Sequence, residues 1–155
     1  MSLKIIEADL ENPLHTNHIL DLTNMYSMDV MGGGEPLPVY VRENMISGLK
    51  EMPNALVFLA FDEETPIGMA NCFIGYSTFY AKKLINIHDL GVIPEGRGKG
   101  VGGALIKAVV AKAKELDCCK VTLEVLENNP ARRLYEREGF EYGDPKFYFM
   151  TKLIK

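Results

Sequence analysis

Apolar positions along the chain follow two periods. Across His15 to Met31 they recur at Ile19, Leu22, Met25 and Tyr26, the spacing of one helix face. Val39 to Met52 predicts a second helix, closed by Pro53-Asn54. Gly32-Gly33-Gly34, with Pro36 and Pro38 behind it, breaks the chain between them. Leu3 to Ala8 predicts a first strand, ended by Asn12-Pro13. Ala55 to Phe61 (ALVFLAF) is an unbroken apolar run and predicts a buried strand. Asp62 to Pro66 predicts a turn, and Ile67 to Tyr76 the second strand of that hairpin.

Leu84 to Val92 (LINIHDLGV) alternates like a strand until His88 and Asp89 interrupt it. A glycine-rich stretch and a strongly amphipathic helix to Leu116 follow. Lys120 to Leu126 (KVTLEVL) predicts a strand, and Pro130 to Glu138 a short helix stopped by Gly139. Phe140-Glu141 and Phe147 to Ile154 predict closing strands. The order is a strand, two helices, three strands, then helix, strand, helix and strand. That is an α/β (α+β) chain. It has no internal repeat, low-complexity tract or linker, and its 155 residues fit one domain spanning 1–155.

Composition narrows the classes. With 47% hydrophobic and 25% charged residues the chain reads as soluble and globular. A net charge of -4 argues against nonspecific nucleic-acid binding. No apolar run reaches membrane-span length, and the opening MSLKIIEADLENPL lacks a signal-peptide core. Three cysteines, two of them adjacent, give no disulfide framework, so reduced thiols and a cytoplasmic location are expected. Cys118 and Cys119 are expected to be buried thiols rather than acyl carriers. His15-x-x-His18 has metal-compatible spacing but no third ligand nearby, so surface histidines and no metal are expected.

The candidate chemistry sits in Arg97 to Ala108, RGKGVGGALIKA. Each glycine at the mouth of a helix costs backbone entropy, and an anionic ligand explains the cost. Gly98, Lys99, Gly100, Val101, Gly102 and Gly103 match G-x-G-x-x-G. Glu124 lies about 20 residues on, where a dinucleotide fingerprint places its acid. An NAD(P)-binding oxidoreductase is therefore one reading. Against it, Pro94 to Arg97 separate the strand from the first glycine, and the preceding half is hairpin-rich. The same letters match R-x-x-G-x-G through Arg97, Gly100 and Gly102. There the loop amides and helix N-terminus would face a pyrophosphate, with Arg97 and Lys99 adding charge.

Two segments in order carry a resemblance: LGVIPEGRGKGVGGALI (Leu90 to Ile106) and LEVLENNPARRLYEREGF (Leu123 to Phe140). Together they resemble the GNAT superfamily of acetyl-CoA-dependent N-acetyltransferases. Asn128, Ala131, Leu134, Tyr135, Gly139 and Phe140 match the family's N-x-x-A-x-x-L-Y…G-F segment. The resemblance implies a mixed, mostly antiparallel sheet of six to seven strands, flanked by about four helices and splayed between its fourth and fifth strands. It implies acetyl-CoA in the gap as acetyl donor, with pyrophosphate on Gly98 to Gly103 and pantetheine along Leu90, Gly91 and Val92. It further implies that Asn128 bonds the pantetheine arm, that Tyr135 protonates the departing sulfur and that the Val92 N–H stabilises the oxyanion. Dimerisation through C-terminal strands is common in the family, so a homodimer is expected. Asn128 also reads as a helix cap before Pro130.

His88 or Asp89 is the candidate base. Neighbouring strand residues face opposite sides, so without a bulge only one reaches a substrate. Glu124 is a further candidate. The segment YSTFYAKKLINIHDLGVIPEGRGKG looks most like the spermidine/spermine and thialysine acetyltransferase subset, where two acids occupy the positions of His88 and Asp89. Tyr76, Tyr80, His88, Asp89 and Glu124 are the expected acceptor-binding residues, with the Gly32 to Pro38 loop as a further wall. A small-molecule amine or lysine-like acceptor is expected, with no nucleic acid and no membrane. A CoA-binding sensor without turnover stays open beside the enzyme.

Overall fold

The computed structural model describes residues 1–155. β1 (Leu3–Glu7), α1 (Pro13–Met28), α2 (Val39–Lys50), β2 (Ala55–Asp62), β3 (Thr65–Ser77), β4 (Lys82–Val92), α3 (Val101–Glu115), β5 (Lys120–Leu123) and α4 (Arg132–Arg137) follow in order. Single 3-10 turns at Val30–Gly32 and Pro94–Gly96 join them.

α1 starts earlier than its apolar spacing suggests. Asn12-Pro13, which reads as a strand terminator, also launches the helix: Asn12 Oδ1 accepts the Leu14 N–H at 2.9 Å and Pro13 takes the first turn. α1 stops at Met28 because Asp29 is extended and its carboxylate accepts from the Met31 N–H, capping the next 3-10 turn instead.

The sheet order is β1-β2-β3-β4-β5. The first four strands are antiparallel neighbours, and β5 joins β4 in parallel. Five strands form rather than six or seven. Phe140-Glu141 and Phe147 to Ile154 are not strands: neither segment joins the sheet, whose last strand, β5, pairs only with β4. A single parallel pair in a mainly antiparallel sheet also removes the doubly wound frame that a dinucleotide fingerprint needs.

Each face of the sheet has its own core. On one side Ala70, Cys72, Ile85 and Ile87 pack under Val101, Leu105, Ile106 and Val109 of α3. On the other, Val57, Leu59 and Met69 meet Ile19 and Leu22 of α1, with Met45, Ile46 and Leu49 of α2 alongside. Gly68 lets α3 lie close: a Cβ there would sit 3.1 Å from the Gly91 carbonyl oxygen and 3.2 Å from both Leu105 and Val101.

Leu105 is fully buried where α3 crosses β3. Leu105→Ala is expected to lower unfolding free energy by about 2–5 kcal/mol, the range for a Leu-to-Ala cavity. Urea denaturation followed by circular dichroism measures it.

Candidate active site

Two register features build the site. Asn71 pairs with Asp89, yet the next residue of β3, Cys72, pairs with Ile87. His88 is the extra residue of a β-bulge, and the side-chain alternation slips there. Ile87 and Leu90 both lie against the α3 core. His88 and Asp89 both turn to the opposite face: His88 stacks edge-on against Phe73 at 5.7 Å, and Asp89 Oδ2 accepts from Asn71 Nδ2 at 3.1 Å. The bulge removes the either-or between these two residues.

The β4–β5 ladder runs from Leu84↔Lys120 to Ile87↔Leu123 and stops. β4 continues to Val92 without β5 beside it. The strands part at the bulge, and the gap opens between His88–Val92 and the chain after Leu123.

The glycine loop borders this gap. Gly98 and Gly100 have φ of +73° and +81°, a region that favours glycine, and no atom lies within 4 Å of a Cβ built on either. Gly100 is the N-cap of α3 and contributes no side-chain bond. The N–H groups of Val101 and Gly102 therefore start the helix without a cap. A groove of about 310 Å³ lies over them, lined by Val92, the loop glycines, Arg97, Leu134 and Arg137. Gly102 serves a different need: its Cβ would come 2.8 Å from Leu134 Cδ2, so its absence seats α4 on α3.

Arg97 does not point freely into that groove. Its Nη2 donates to Asp29 Oδ2 at 2.6 Å and its Nε to the Val92 carbonyl at 3.1 Å. Asp29 is held below the usual carboxylate range, first by the Met31 N–H and then by Arg97. Arg97 thus joins the end of α1 to the end of β4, and exposed Lys99 is the loop's unpaired cation.

Tyr135 is half-buried, with its ring edge-on to Phe140 at 6.0 Å. Burial, and after it Tyr26, pushes its phenol up to about 12. Tyr26 is also raised, by burial first and then by Asp89 and Asp29. A Cβ on Gly91 would lie 3.2 Å from Tyr26 Cδ1, so the glycine lets this ring rest on β4. Tyr26 therefore lies within electrostatic reach of both Asp89 and Tyr135. Asn71 is buried, and its Nδ2 also donates to Thr23 Oγ1 at 3.1 Å while its Oδ1 has no partner.

Tyr26, Thr23 and Asn71 escaped the sequence reading. Tyr26 fits the apolar stripe of α1, and Asn71 sits within a strand whose polarity gives no hint of a partner. The only signal was a polar atom on a core-facing position.

Other expected residues lie elsewhere. Glu124 is exposed on the chain after β5, where its Oε1 accepts from Asn86 Nδ2 at 3.1 Å. Tyr76 pairs with Lys83, five positions from His88, about 16 Å along the strand. Tyr76 and Tyr80 thus belong to the far hairpin end, and the Tyr80 ring lies 5.7 Å from Lys120 Nζ. Asn128 is exposed in a separate groove and does not cap α4; Asn129 Oδ1 accepts the Ala131 N–H at 2.9 Å in the turn before the helix, which starts at Ala131 without a side-chain cap. Cys118 and Cys119 are only partly buried; Cys72 is the buried thiol, pushed up to about 12 by burial and then by Asp89. His15 is half-buried and its Nδ1 accepts the Asp9 N–H at 2.9 Å, while His18 stacks on Phe61. No three His, Cys, Asp or Glu side chains converge as a metal site.

A mixed sheet parted at a bulge, with an uncapped helix N-terminus at the parting, recurs in solved structures. An integron cassette protein from the mobile metagenome of V. cholerae superposes with a TM-score of 0.81 at 21% identity, over 98% of this chain and 93% of that one. An aminoglycoside acetyltransferase from an uncultured soil metagenomic sample, in complex with sisomicin, gives 0.79 at 18% identity, over 99% and 97%. These likenesses speak for the fold. The Acetyltransferase (GNAT) family pattern matches residues 20–140, and the chain belongs to that family. The N-acetyltransferase YhfO of Bacillus subtilis (strain 168) is 29% identical over 100 residues, 64% of this chain and 67% of that protein. The thialysine N-epsilon-acetyltransferase of Bos taurus is 35% identical over 75 residues, 44% of each chain.

The raised Tyr135 phenol has a pH signature. The folded chain keeps this proton to about 12, whereas an unfolded phenol loses it near 10. In that window the folded state binds more protons, so rising pH favours unfolding. Stability is expected to fall between those values, and Tyr135→Phe to flatten the slope. Urea midpoints across that range, taken for both proteins, test this.

Proposed function

We propose that the protein transfers the acetyl group of acetyl-CoA directly to a primary amine of a small molecule or lysine-like acceptor. We further propose that it works in the cytoplasm as a homodimer. One observation carries the catalytic reading: the uncapped start of α3 opens onto the groove at the point where β4 and β5 part. The open space at Gly98 and Gly100 fits a bulky anion brought against backbone amides. Amine acceptors are named for both the bovine and the soil-metagenome relatives.

The loop amides and Lys99 hold the donor's pyrophosphate in this reading. The backbone from Leu90 to Val92 aligns the pantetheine arm, and the Val92 N–H faces the developing oxyanion. The amine nitrogen forms a bond to the thioester carbon, and the carbon–sulfur bond breaks. Tyr135 gives its proton to the departing sulfur. A phenol that stays neutral far above pH 7 suits that role.

The amine must lose a proton to attack. An alkylammonium near pKa 10.4 costs about 4–5 kcal/mol to neutralise at pH 7. Asp89 and His88, both on the α1 face, are the residues we assign to receiving the ammonium and its proton. Tyr26 spans from that pair toward Tyr135, and Asn71 orients Asp89.

Calorimetric titration with acetyl-CoA, and separately with NADH and NADPH, is expected to give micromolar binding of acetyl-CoA alone. Binding of a nicotinamide nucleotide instead would overturn the reading. In a thiol-release assay with an amine panel, Tyr135→Phe is expected to lower kcat by about 10²-fold, the lower range for a general acid, while acetyl-CoA affinity stays within a factor of about three. Tight acetyl-CoA binding with no turnover on any amine would mark a sensor.

A further inference from the structure

Tyr26 is held on every side except at its hydroxyl. Its ring rests on β4: a Cβ on Gly91 would lie 3.2 Å from the tyrosine Cδ1 and 3.3 Å from its Cβ. Met69 closes the same spot from β3, in the core that α1 covers. The Tyr26 carbonyl accepts the Asp29 N–H at 3.1 Å, and a side chain on Gly32 would collide with that oxygen. Asp29 is in turn clasped by Arg97, which also bonds the Val92 carbonyl at the end of β4. A phenylalanine would make every one of these contacts. None of them uses the hydroxyl.

The strand beneath places that hydroxyl. Gly91 and Asp89 are two residues apart on β4, about 7 Å, and both face α1. Tyr135 comes from the other side, packed with Leu90 and Val92 against the α3 core. Beyond Ile87 β5 no longer runs beside β4, so the two phenols approach the gap from opposite faces. Both are half-buried. Neither hydroxyl bonds to a protein group and neither is sealed, since Asn71 Oδ1 is the only buried side-chain polar atom without a partner. The electrostatics agree with this placement. After burial, Tyr26 is the next cause that raises the Tyr135 phenol, and Asp89 the next that raises Tyr26.

Acetyl transfer leaves protons on the wrong side of the gap. Tyr135 gives its hydroxyl proton to the departing sulfur, and without a source of replacement its oxygen is left as a phenolate. A phenol held up to about 12 makes that phenolate a strong base in a half-buried place. The amine nitrogen has the opposite need. It sheds one proton before attack and a second as the amide forms. Asp89 therefore collects on one face what Tyr135 lacks on the other, and Tyr26 stands between them.

We propose that Tyr26 relays a proton from Asp89 to Tyr135 across the gap. The relay rests on the acetyl-transfer reading: the nitrogen–carbon bond forms and the carbon–sulfur bond breaks. The first ammonium proton leaves through His88 to solvent. The second passes from nitrogen to Asp89, and from there to the Tyr26 oxygen as Tyr26 gives its own proton to the Tyr135 oxygen. The Tyr135 proton goes to sulfur in the same event. Each residue ends the turnover as it began, and one proton is released for each acetyl group moved. The Arg97–Asp29 contact fixes the end of α1, and the relay with it, to the glycine loop.

The test measures single-turnover rates at saturating acetyl-CoA, with the best acceptor of the amine panel, for the unaltered protein, Tyr26→Phe, Tyr135→Phe and the double variant. Tyr26→Phe is expected to lower the maximal rate about ten-fold, less than loss of the acid itself because water can stand in. The half-saturating amine concentration and the acetyl-CoA affinity are expected to stay unchanged. In the Tyr135→Phe background the same change is expected to cost nothing further, because the relay has no oxygen to serve. Tyr26→3-fluorotyrosine keeps a hydroxyl on the same ring and is expected to hold the rate of the unaltered protein, which separates proton transfer from packing. Circular dichroism melts check that each variant is folded. A folded Tyr26→Phe at full rate overturns the relay, whether or not it needs more amine, and losses that multiply in the double variant overturn it too. Those results leave the acetyl transfer standing. No turnover of any amine by the unaltered protein overturns the acetyl transfer and the relay with it.

Discussion

The β4–β5 ladder zips for four register pairs and then lets go, and everything functional in the molecule is arranged around that release. Backbone N–H and C=O groups are obligatory hydrogen-bonding groups. A strand that continues past its partner must spend them elsewhere. Val92 gives its carbonyl to Arg97, and the remaining edge faces the gap. The bulge at His88 coincides with the parting. Bulges add local twist, and twist carries the continuing strand away from its straight neighbour. One extra residue therefore accounts for the gap and for the pairing of His88 and Asp89 on one face.

The two sides of the gap have opposite electrostatic character. Toward α3 stand an uncapped helix N-terminus, Lys99 and glycines open to solvent. Toward α1 stand Asp89, Asn71 and the Tyr26 ring. A donor with an anionic tail and an acceptor with a cationic head would be drawn from opposite sides. Arg97 links the two halves structurally: it belongs to the loop by sequence but is bonded to Asp29 at the end of α1. That partly exposed pair is short, yet solvent screening makes it a positioning contact more than a source of stability.

Elements with a complete local signal were legible in the sequence. β2, β3 and α3 carry long apolar runs or a clean helical face, and their cores lie where periodicity places them. The glycine loop was legible because positive φ needs a particular residue type. Side-chain direction at His88 and Asp89 was not, because the bulge is set by register with β3, a nonlocal property. Tyr26 and Asn71 were hidden for a similar reason: each matters through residues far away in sequence. Asn128 and Asn129 differ by one position, and only the geometry of the turn before α4 decides that Asn129 takes the Ala131 N–H and that neither caps the helix.

The closing strands are the instructive miss. FYFMTKLI has strand composition, and composition reports what a segment can do, not what lies beside it. A strand exists only as half of a ladder. The arm makes no ladder and stays exposed, although its residues are those of a core. The local signal and the chain's own structure disagree here and nowhere else on this scale. Natural sequences tend to keep such levels consistent. Here the chain holds an apolar arm without a ladder at one end and, at β5, a four-residue sheet edge that pairs only with β4.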